Sequence, residues 1–523
     1  MVRVDKQVII FFIGLLIFFA FNLNNRPFAN PDESRYVEIP REMVASGDYT
    51  TPRLNGVKYF EKPPLLYWLQ ASSIKIFGLK EQAMRLWVSI FAFFGCLGTF
   101  FFTRKLFDKN IAFKASFILA TSLLYYVISN LIILDIPVSV LLTFALYSFY
   151  LGFQENNLLK RRLYFYGFAS FCALGILTKG IMILALTAPI IFLWLTFSKN
   201  WCNFKKIYFF TSFGILLLIA VPWHVLVSLK NPDFLYKYFY VEHWLRYTSK
   251  IHLRYQPFWF FFPILILGFL PWSVALFDTI KKAWHDRKDE KTLFLLIWFI
   301  WILVFFSCSG SKLVPYIIPA FPPLAILIAK YWQYVDEKNR FFFLIFTILF
   351  ILSGIYVYKF YYPQEQHLIS LAIILASIFL LLFCFYKKKF SVHIAALVLC
   401  MVANLYFERI QKPSIKKFAQ YINKIKKDDQ ILVSYKSYFQ DLPVYTQQII
   451  TIVDVGGELD FGIKAEDTKK WVWDEKTFLD SLGKKNMLII AKLGEFNNLV
   501  KKTNILFDVM MLNRDFVLFR SVK

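Results

Sequence analysis

The chain is poor in charge and poorer still in acid. Asp, Glu, Lys and Arg make up only 18% of its 523 residues, and 35 acids face 60 bases. A soluble protein of this length would carry far more charge and fewer than the 61 phenylalanines present, which excludes a water-soluble globular class. Cysteine is scarce too. Cys96, Cys172, Cys202, Cys308, Cys384 and Cys400 show neither metal-ligand nor redox spacing, and none lies beyond residue 400. The C-terminal region therefore has no disulfide framework, and the six read as apolar filler. There is no internal repeat and no low-complexity linker. No small-residue cleavage site follows the first apolar run, residues 8–21; NNRPFANPDE carries it into a charged loop. That run reads as an uncleaved first span rather than a signal peptide.

What is present is apolar sequence, 58% of the chain, with 20% aromatic residues. Crossing a bilayer core of about 30 Å takes about 20 apolar residues, and runs of that kind recur to about Phe407. The expected class is a polytopic α-helical membrane protein. A net charge of +25 could suggest nucleic acid, but the bases cluster between apolar runs: Arg104, Lys105 and Lys109; Lys160, Arg161 and Arg162; Lys205 and Lys206; Lys281, Lys282, Arg287 and Lys288; Lys387, Lys388 and Lys389. These are alternate loops, as the positive-inside rule requires. With them inside, thirteen spans are expected: 7–24, 82–103, 111–129, 136–153, 163–178, 181–197, 207–228, 257–279, 292–308, 317–334, 341–360, 368–386 and 390–407. The count is odd, so a C-terminus outside goes with an N-terminus inside. A membrane domain over 1–407 with an outer loop at 25–81 is then followed by an outer α/β domain over 408–523. In that domain an amphipathic helix is expected at 414–427, another helix at 475–482, and strands at 431–434, 449–453, 487–491, 505–511 and 516–519.

The densest charge lies in 30–64, where Asp32, Glu33, Glu38, Glu42, Asp48 and Glu61 alternate with Arg35, Arg41, Arg53, Lys58 and Lys62. Asn30 can cap a helix with Pro31 at its first position, setting Asp32, Arg35 and Tyr36 on one face. Asp32 and Glu33 also fit a first-turn role against the helix dipole, and Glu38, Arg41 and Glu42 fit helix salt bridges. In YFEKPP, residues 59–64, two prolines hold the chain extended and present Glu61 and Lys62 at the membrane edge. Lys62 there can snorkel or bind a lipid phosphate as a point charge. Asp135, alone among aliphatics, would cost about 2.5–3.5 kcal/mol at a helix centre; it can instead cap a helix beginning at Pro137. Lys179, Glu242, His243, Arg246, Lys312 and Tyr316 fall on the outer face, where each positive charge asks for an anionic partner. His243 by itself reads as a hydrogen-bonded histidine, and His224 as an interfacial anchor.

DESRYVEIPREMVASGDYTTPRLNGVKYFEKPPLLYW resembles the first periplasmic loop of the aminoarabinose transferases of lipid A modification, membrane glycosyltransferases of the GT-C fold related to protein O-mannosyltransferases. LDIP, LTKG, VEHWLRY followed by QPFWFF, and KLVPYIIP are similar to the same family in the same order, as are YFQDLPVYT and GGELDFG in the tail. The resemblance implies about thirteen spans with a periplasmic α/β tail in a bacterial inner membrane. It implies transfer of an amino sugar, aminoarabinose or a relative such as galactosamine, from undecaprenyl phosphate to a lipid A phosphate, which lowers sensitivity to cationic peptides. Asp32 and Asp135 would be the catalytic or acceptor-site carboxylates. Lys62, Arg246 and Tyr316 would hold the carrier phosphate, and Arg35, Tyr36, Tyr59, Glu61, Lys179 and Lys312 would line the cavity. A divalent cation, zinc or magnesium, would sit between Glu61 and His243. The expected state is a monomer with no nucleic-acid partner. Two other readings remain open on the residues: mannose-like transfer to protein hydroxyls, and lipid or ion transport. Transport fits less well, because the charges collect at one face.

Overall fold

The computed structural model describes residues 6–21, 23, 26–248, 255–334, 396–397, 399–401, 403, 414–503 and 505–521. Two compact units emerge. One comprises Met1–Asn22, Val88–Val221 and His243–Arg409; the other comprises Leu23–Trp87, Pro222–Glu242 and Ile410–Lys523.

Among the described residues five helices are long and apolar enough to cross a membrane, or up to seven if each of two bent pairs is one span. Glu81–Leu106, Asp135–Gln154, Phe209–Lys230 and Glu290–Cys308 coincide with expected spans, and the apolar stretch Val314–Tyr331 with a fifth. Lys6–Ala20 and Met182–Phe197 are apolar but shorter. Two expected spans are not straight. Lys109–Ala120 and Leu123–Ser129 meet at 62°, and Phe258–Gly268 and Trp272–His285 at 113°. Pro271 lies at the second break; it has no N–H for the helical ladder and its ring crowds the preceding turn. The spans expected at 341–360 and 368–386, and most of 390–407, lie outside the described residues, as does Cys384. The membrane unit packs through rings: Phe102 stacks on Tyr147 at 3.9 Å, and Trp194 meets Tyr150 at 5.3 Å. Cys96, Cys172 and Cys400 are buried, while Cys202 and Cys308 are exposed.

The second unit carries a six-stranded mixed sheet, ordered Val472–Trp473, Thr451–Val453, Ile431–Tyr435, Met487–Lys492, Phe516–Ser521, Phe507–Leu512. The first four strands run parallel, and Phe516–Ser521 pairs antiparallel with both of its neighbours. Helix Lys416–Ile425 buries Phe418, Ala419 and Ile422. The loop shares this core: Ile39, Met43, Leu54, Val57, Tyr59 and Tyr67 cluster with Phe418, Ile422, Leu432 and Ile452.

A two-stranded ribbon, Arg53–Leu54 with Val57–Lys58, fastens the loop to the sheet. Its turn residues Asn55 and Gly56 have φ of 54° and 76°, the left-handed pair that Asn-Gly turns supply at least cost. The Asn55 amide then behaves like a peptide group. It donates to the Ile450 carbonyl and accepts from the Ile450 N–H, both at 3.0 Å. The Trp471 indole donates to the Asn55 carbonyl at 2.9 Å.

Candidate active site

The helix Asp32–Ser46 starts one residue later than its sequence suggests. Pro31 holds the cap position with no side-chain cap, and the Asn30 amide instead donates to Asp441 at 3.1 Å. Asp32 and Arg35 do share a face. Their 3.4 Å contact leaves the Asp32 side chain 69% exposed and the Arg35 side chain 11% exposed, so Asp32 is the carboxylate open to a ligand. Arg35 is its anchor. One guanidinium nitrogen donates to the Tyr59 hydroxyl at 2.8 Å and to Glu458 at 2.7 Å, and lies 3.9 Å from Glu61. Burial opposes the Arg35 charge, but Tyr59, Glu458 and Glu61 together hold its pKa well above the usual value. Tyr36 stacks on Tyr67 at 5.8 Å. Lys62 follows Glu61 and donates to that residue's carbonyl at 2.9 Å. The two prolines end here, and helix Leu65–Phe77 starts directly after Pro64.

Glu33, read from sequence as a first-turn acid, is fully buried. It accepts from Arg26 at 2.5 and 3.0 Å, from Arg85 at 3.0 and 2.9 Å, and from the Ala29 N–H at 2.9 Å. Burial alone would raise its pKa; Arg85 and then Arg26 outweigh that and hold it at about 2. Of the trio expected to form helix salt bridges, Arg41 and Glu38 pair at 2.5 Å. Glu42 instead accepts from the Gly56 N–H at 3.0 and 2.9 Å, bracing the ribbon turn. Burial and then the neighbouring Glu38 push the Glu42 pKa well up.

In the membrane unit, Asp135 is the first residue of its helix and caps nothing; its carboxylate receives the Lys179 ammonium at 2.6 Å. Lys179 ends its own helix, where a cation complements the dipole, and its ammonium lies 4.5 Å from the Tyr316 ring centre. The anionic partner that Lys179 asks for is thus a carboxylate of the chain itself. Lys312 is buried and donates to the Ser309 and Gln256 carbonyls at 2.6 and 3.0 Å. Glu242 pairs with Lys237 at 2.8 Å. His243 lies in the π-helical stretch Tyr236–Leu245 and Arg246 opens the short helix Arg246–Thr248; both are half-buried.

Among the described residues no three of His, Cys, Asp and Glu form a group that could hold a metal. The carboxylate expected to bind one, Glu61, already faces the Arg35 guanidinium.

Sequence reasoning missed Glu33 with Arg26 and Arg85, and it missed Glu458. The partners of Glu33 lie at non-periodic distances along the chain. Arg35 and Glu458 are 423 residues apart, so no local signal exists beyond the GGELDFG motif itself.

A model of the dolichyl-phosphate-mannose-protein mannosyltransferase family matches residues 6–238. An undecaprenyl phosphate-α-4-amino-4-deoxy-L-arabinose arabinosyl transferase of Proteus mirabilis is 36% identical over 335 residues, 63% of this chain and 60% of that protein. One from Aeromonas hydrophila is 36% identical over 318 residues, 60% of this chain and 58% of that protein. The chain thus spans about three fifths of the length of these curated relatives. Its fold is similar to the crystal structure of ArnT from Cupriavidus metallidurans bound to undecaprenyl phosphate, with a TM-score of 0.87 and 26% identity over 98% of this chain and 97% of that one. It also resembles an oligosaccharyltransferase of Archaeoglobus fulgidus, with a TM-score of 0.52 and 13% identity over 84% of this chain and 64% of that one; that likeness is one of fold alone. The fold is that of a multi-span membrane protein, and the proteins it matches are sugar transferases. Among proteins of that class the chain is similar to the undecaprenyl phosphate-aminoarabinose arabinosyl transferases.

Proposed function

We propose that the protein moves an amino sugar from undecaprenyl phosphate to a phosphate of lipid A, at the outer face of a bacterial inner membrane that it crosses about thirteen times. The observation that carries this reading is the match, over nearly the full length of both chains, to a structure bound to undecaprenyl phosphate. The acceptor phosphate is already ionised near neutral pH, so no strong base is required. Its oxygen forms a bond to the anomeric carbon of the sugar as the bond from that carbon to the carrier phosphate breaks. The departing phosphate keeps the electron pair. Lys62, Arg246 and Tyr316 neutralise it, since fixed cations and donors lower the barrier where charge develops. Asp32, exposed and held by Arg35, positions the acceptor or meets positive charge developing on the sugar. Asp135 with Lys179 serves the same end of the reaction.

The test is lipid A mass spectrometry on cells with and without the gene, paired with labelled-sugar transfer from the polyprenyl donor in membranes. A pentosamine mass shift supports aminoarabinose, a hexosamine shift supports a galactosamine-like sugar, and no shift defeats both. Variants Asp32→Asn and Lys62→Ala, at normal expression, are expected to lose about 100-fold or more of the transfer rate. Full lipid A modification by either one would remove that residue from the mechanism. The family-model match to residues 6–238 supports a second reading, sugar transfer to a protein hydroxyl, with Asp32 as the base. Label recovered in protein rather than in lipid A would favour it.

A further inference from the structure

We propose that Glu458 is a positioning residue of the transfer site: from the C-terminal region it fixes the Arg35 guanidinium so that Arg35 presents Asp32 to the substrate. The kinetic part of this inference rests on the function proposed above. The geometry is a chain of contacts. Glu458 takes a 2.7 Å bond from Arg35 and a 3.3 Å bond from the Tyr59 hydroxyl, while Tyr59 itself accepts from the same Arg35 nitrogen at 2.8 Å. The guanidinium is planar, so fixing one terminal nitrogen between two oxygens fixes the direction of the other. That other nitrogen faces Asp32 at 3.4 Å. Gln440 donates to the second oxygen of Glu458, which leaves that carboxylate little freedom to swing away. The Arg35 Nε is buried with no hydrogen-bond partner among the described residues, so the orientation of the side chain is set by its terminal nitrogens.

Burial pushes the Glu458 pKa up and Arg35 pulls it back, with Glu61 adding to the rise and Tyr59 and Gln440 opposing it. The result is a carboxyl whose pKa stays above the ordinary range, beside an arginine that also faces Asp32, Glu61 and Tyr36. Protonating Glu458 removes the charge that holds Arg35, so the transfer rate should fall on the acid side.

Glu458 is tested in the full-length protein with variants Glu458→Gln, Glu458→Asp and Glu458→Ala, using undecaprenyl phosphate-aminoarabinose as donor and lipid A as acceptor. Misplacing a group that touches the reacting atoms costs up to about 100-fold. The glutamine and alanine variants should therefore lose about 10–100-fold in kcat with the donor KM within about twofold. The aspartate variant should recover part of the rate, and the acid limb of the wild-type pH profile should vanish in Glu458→Gln. A second readout does not need activity: phenylglyoxal labelling of Arg35, followed by peptide mass spectrometry, should run several-fold faster in Glu458→Gln. Wild-type kinetics and pH profile in Glu458→Gln, or unchanged Arg35 labelling, would overturn the inference. Absence of transfer by the wild-type protein defeats the proposed function instead, and the labelling arm still decides the role of Glu458.

Discussion

Two neighbouring acids in one helix turn have opposite fates. Asp32 faces out, while Glu33 is buried between two arginines. The folded pKa of Glu33, about 2, lies below the ordinary value of about 4.3. Its stabilising contribution is therefore complete above that ordinary value and disappears as pH falls toward 2. Glu33→Gln leaves two buried guanidinium groups without their carboxylate, which should cost about 3–5 kcal/mol. Thermal unfolding from pH 7 to pH 3 should show a lower Tm and a flatter acid dependence in the variant. Asp135 and Lys179 should behave as a linked pair. Asp135→Asn or Lys179→Met alone should destabilise by about 3–5 kcal/mol, and the double variant should recover part of the loss, as read by thermal unfolding in detergent. The Asp32–Arg35 contact was legible because helical spacing forces i and i+3 together. The Glu33 network was not, since Arg26 and Arg85 reach it from segments with no periodic relation to it. The cap expected from Asn30 did not form; its amide instead reaches Asp441, 411 residues along the chain.

At the scale of elements, the strands expected at 431–434, 487–491 and 516–519 are present because runs of β-branched and aromatic residues leave a clear signal. The strand Val472–Trp473 and the ribbon at 53–58 have two residues per strand, too short for any pattern to register. The bends of 62° and 113° leave hydropathy unchanged across the break, so composition reads each pair as one span; only Pro271 marked the sharper one. Close approach of backbone to backbone sets a constraint where helix Asp460–Ala465 meets the ribbon. A Cβ on Gly462 would stand 2.3 Å from the Lys58 carbonyl oxygen, and backbone cannot swing aside as a side chain can. Gly462→Ala should cost about 1–3 kcal/mol, seen as a lower unfolding temperature.

For the molecule as a whole, the division expected at 407/408 follows composition, whereas the compact units follow the core. Composition separates greasy from soluble sequence, but it does not say which loop shares a core with the C-terminal sheet. The apolar cluster answers that, since Ile39, Leu54, Val57 and Tyr67 pack with Phe418, Leu432 and Ile452. A fragment of residues 410–523 made alone should therefore expose an apolar face. It should bind a hydrophobic dye and aggregate, while the full chain in detergent stays monodisperse. A dispersed amide spectrum from the isolated fragment would contradict this.

The discontinuity also sets an order of events during synthesis. The stretch ending at Trp87 leaves the ribosome before the stretch beginning at Ile410, with roughly 320 residues between them. At about 5–20 residues per second, the wait is roughly 15–65 s. Throughout that interval the loop stands complete in sequence but without Ile450 and Glu458, which Asn55 and Arg35 will engage. A greasier loop would be drawn into the lipid or into a neighbouring chain. The alternating acids and bases of residues 32–62 keep such a nascent segment hydrated until its partner is made, and several of them, Arg35, Glu38, Arg41 and Glu42, later become buried ties of the folded unit.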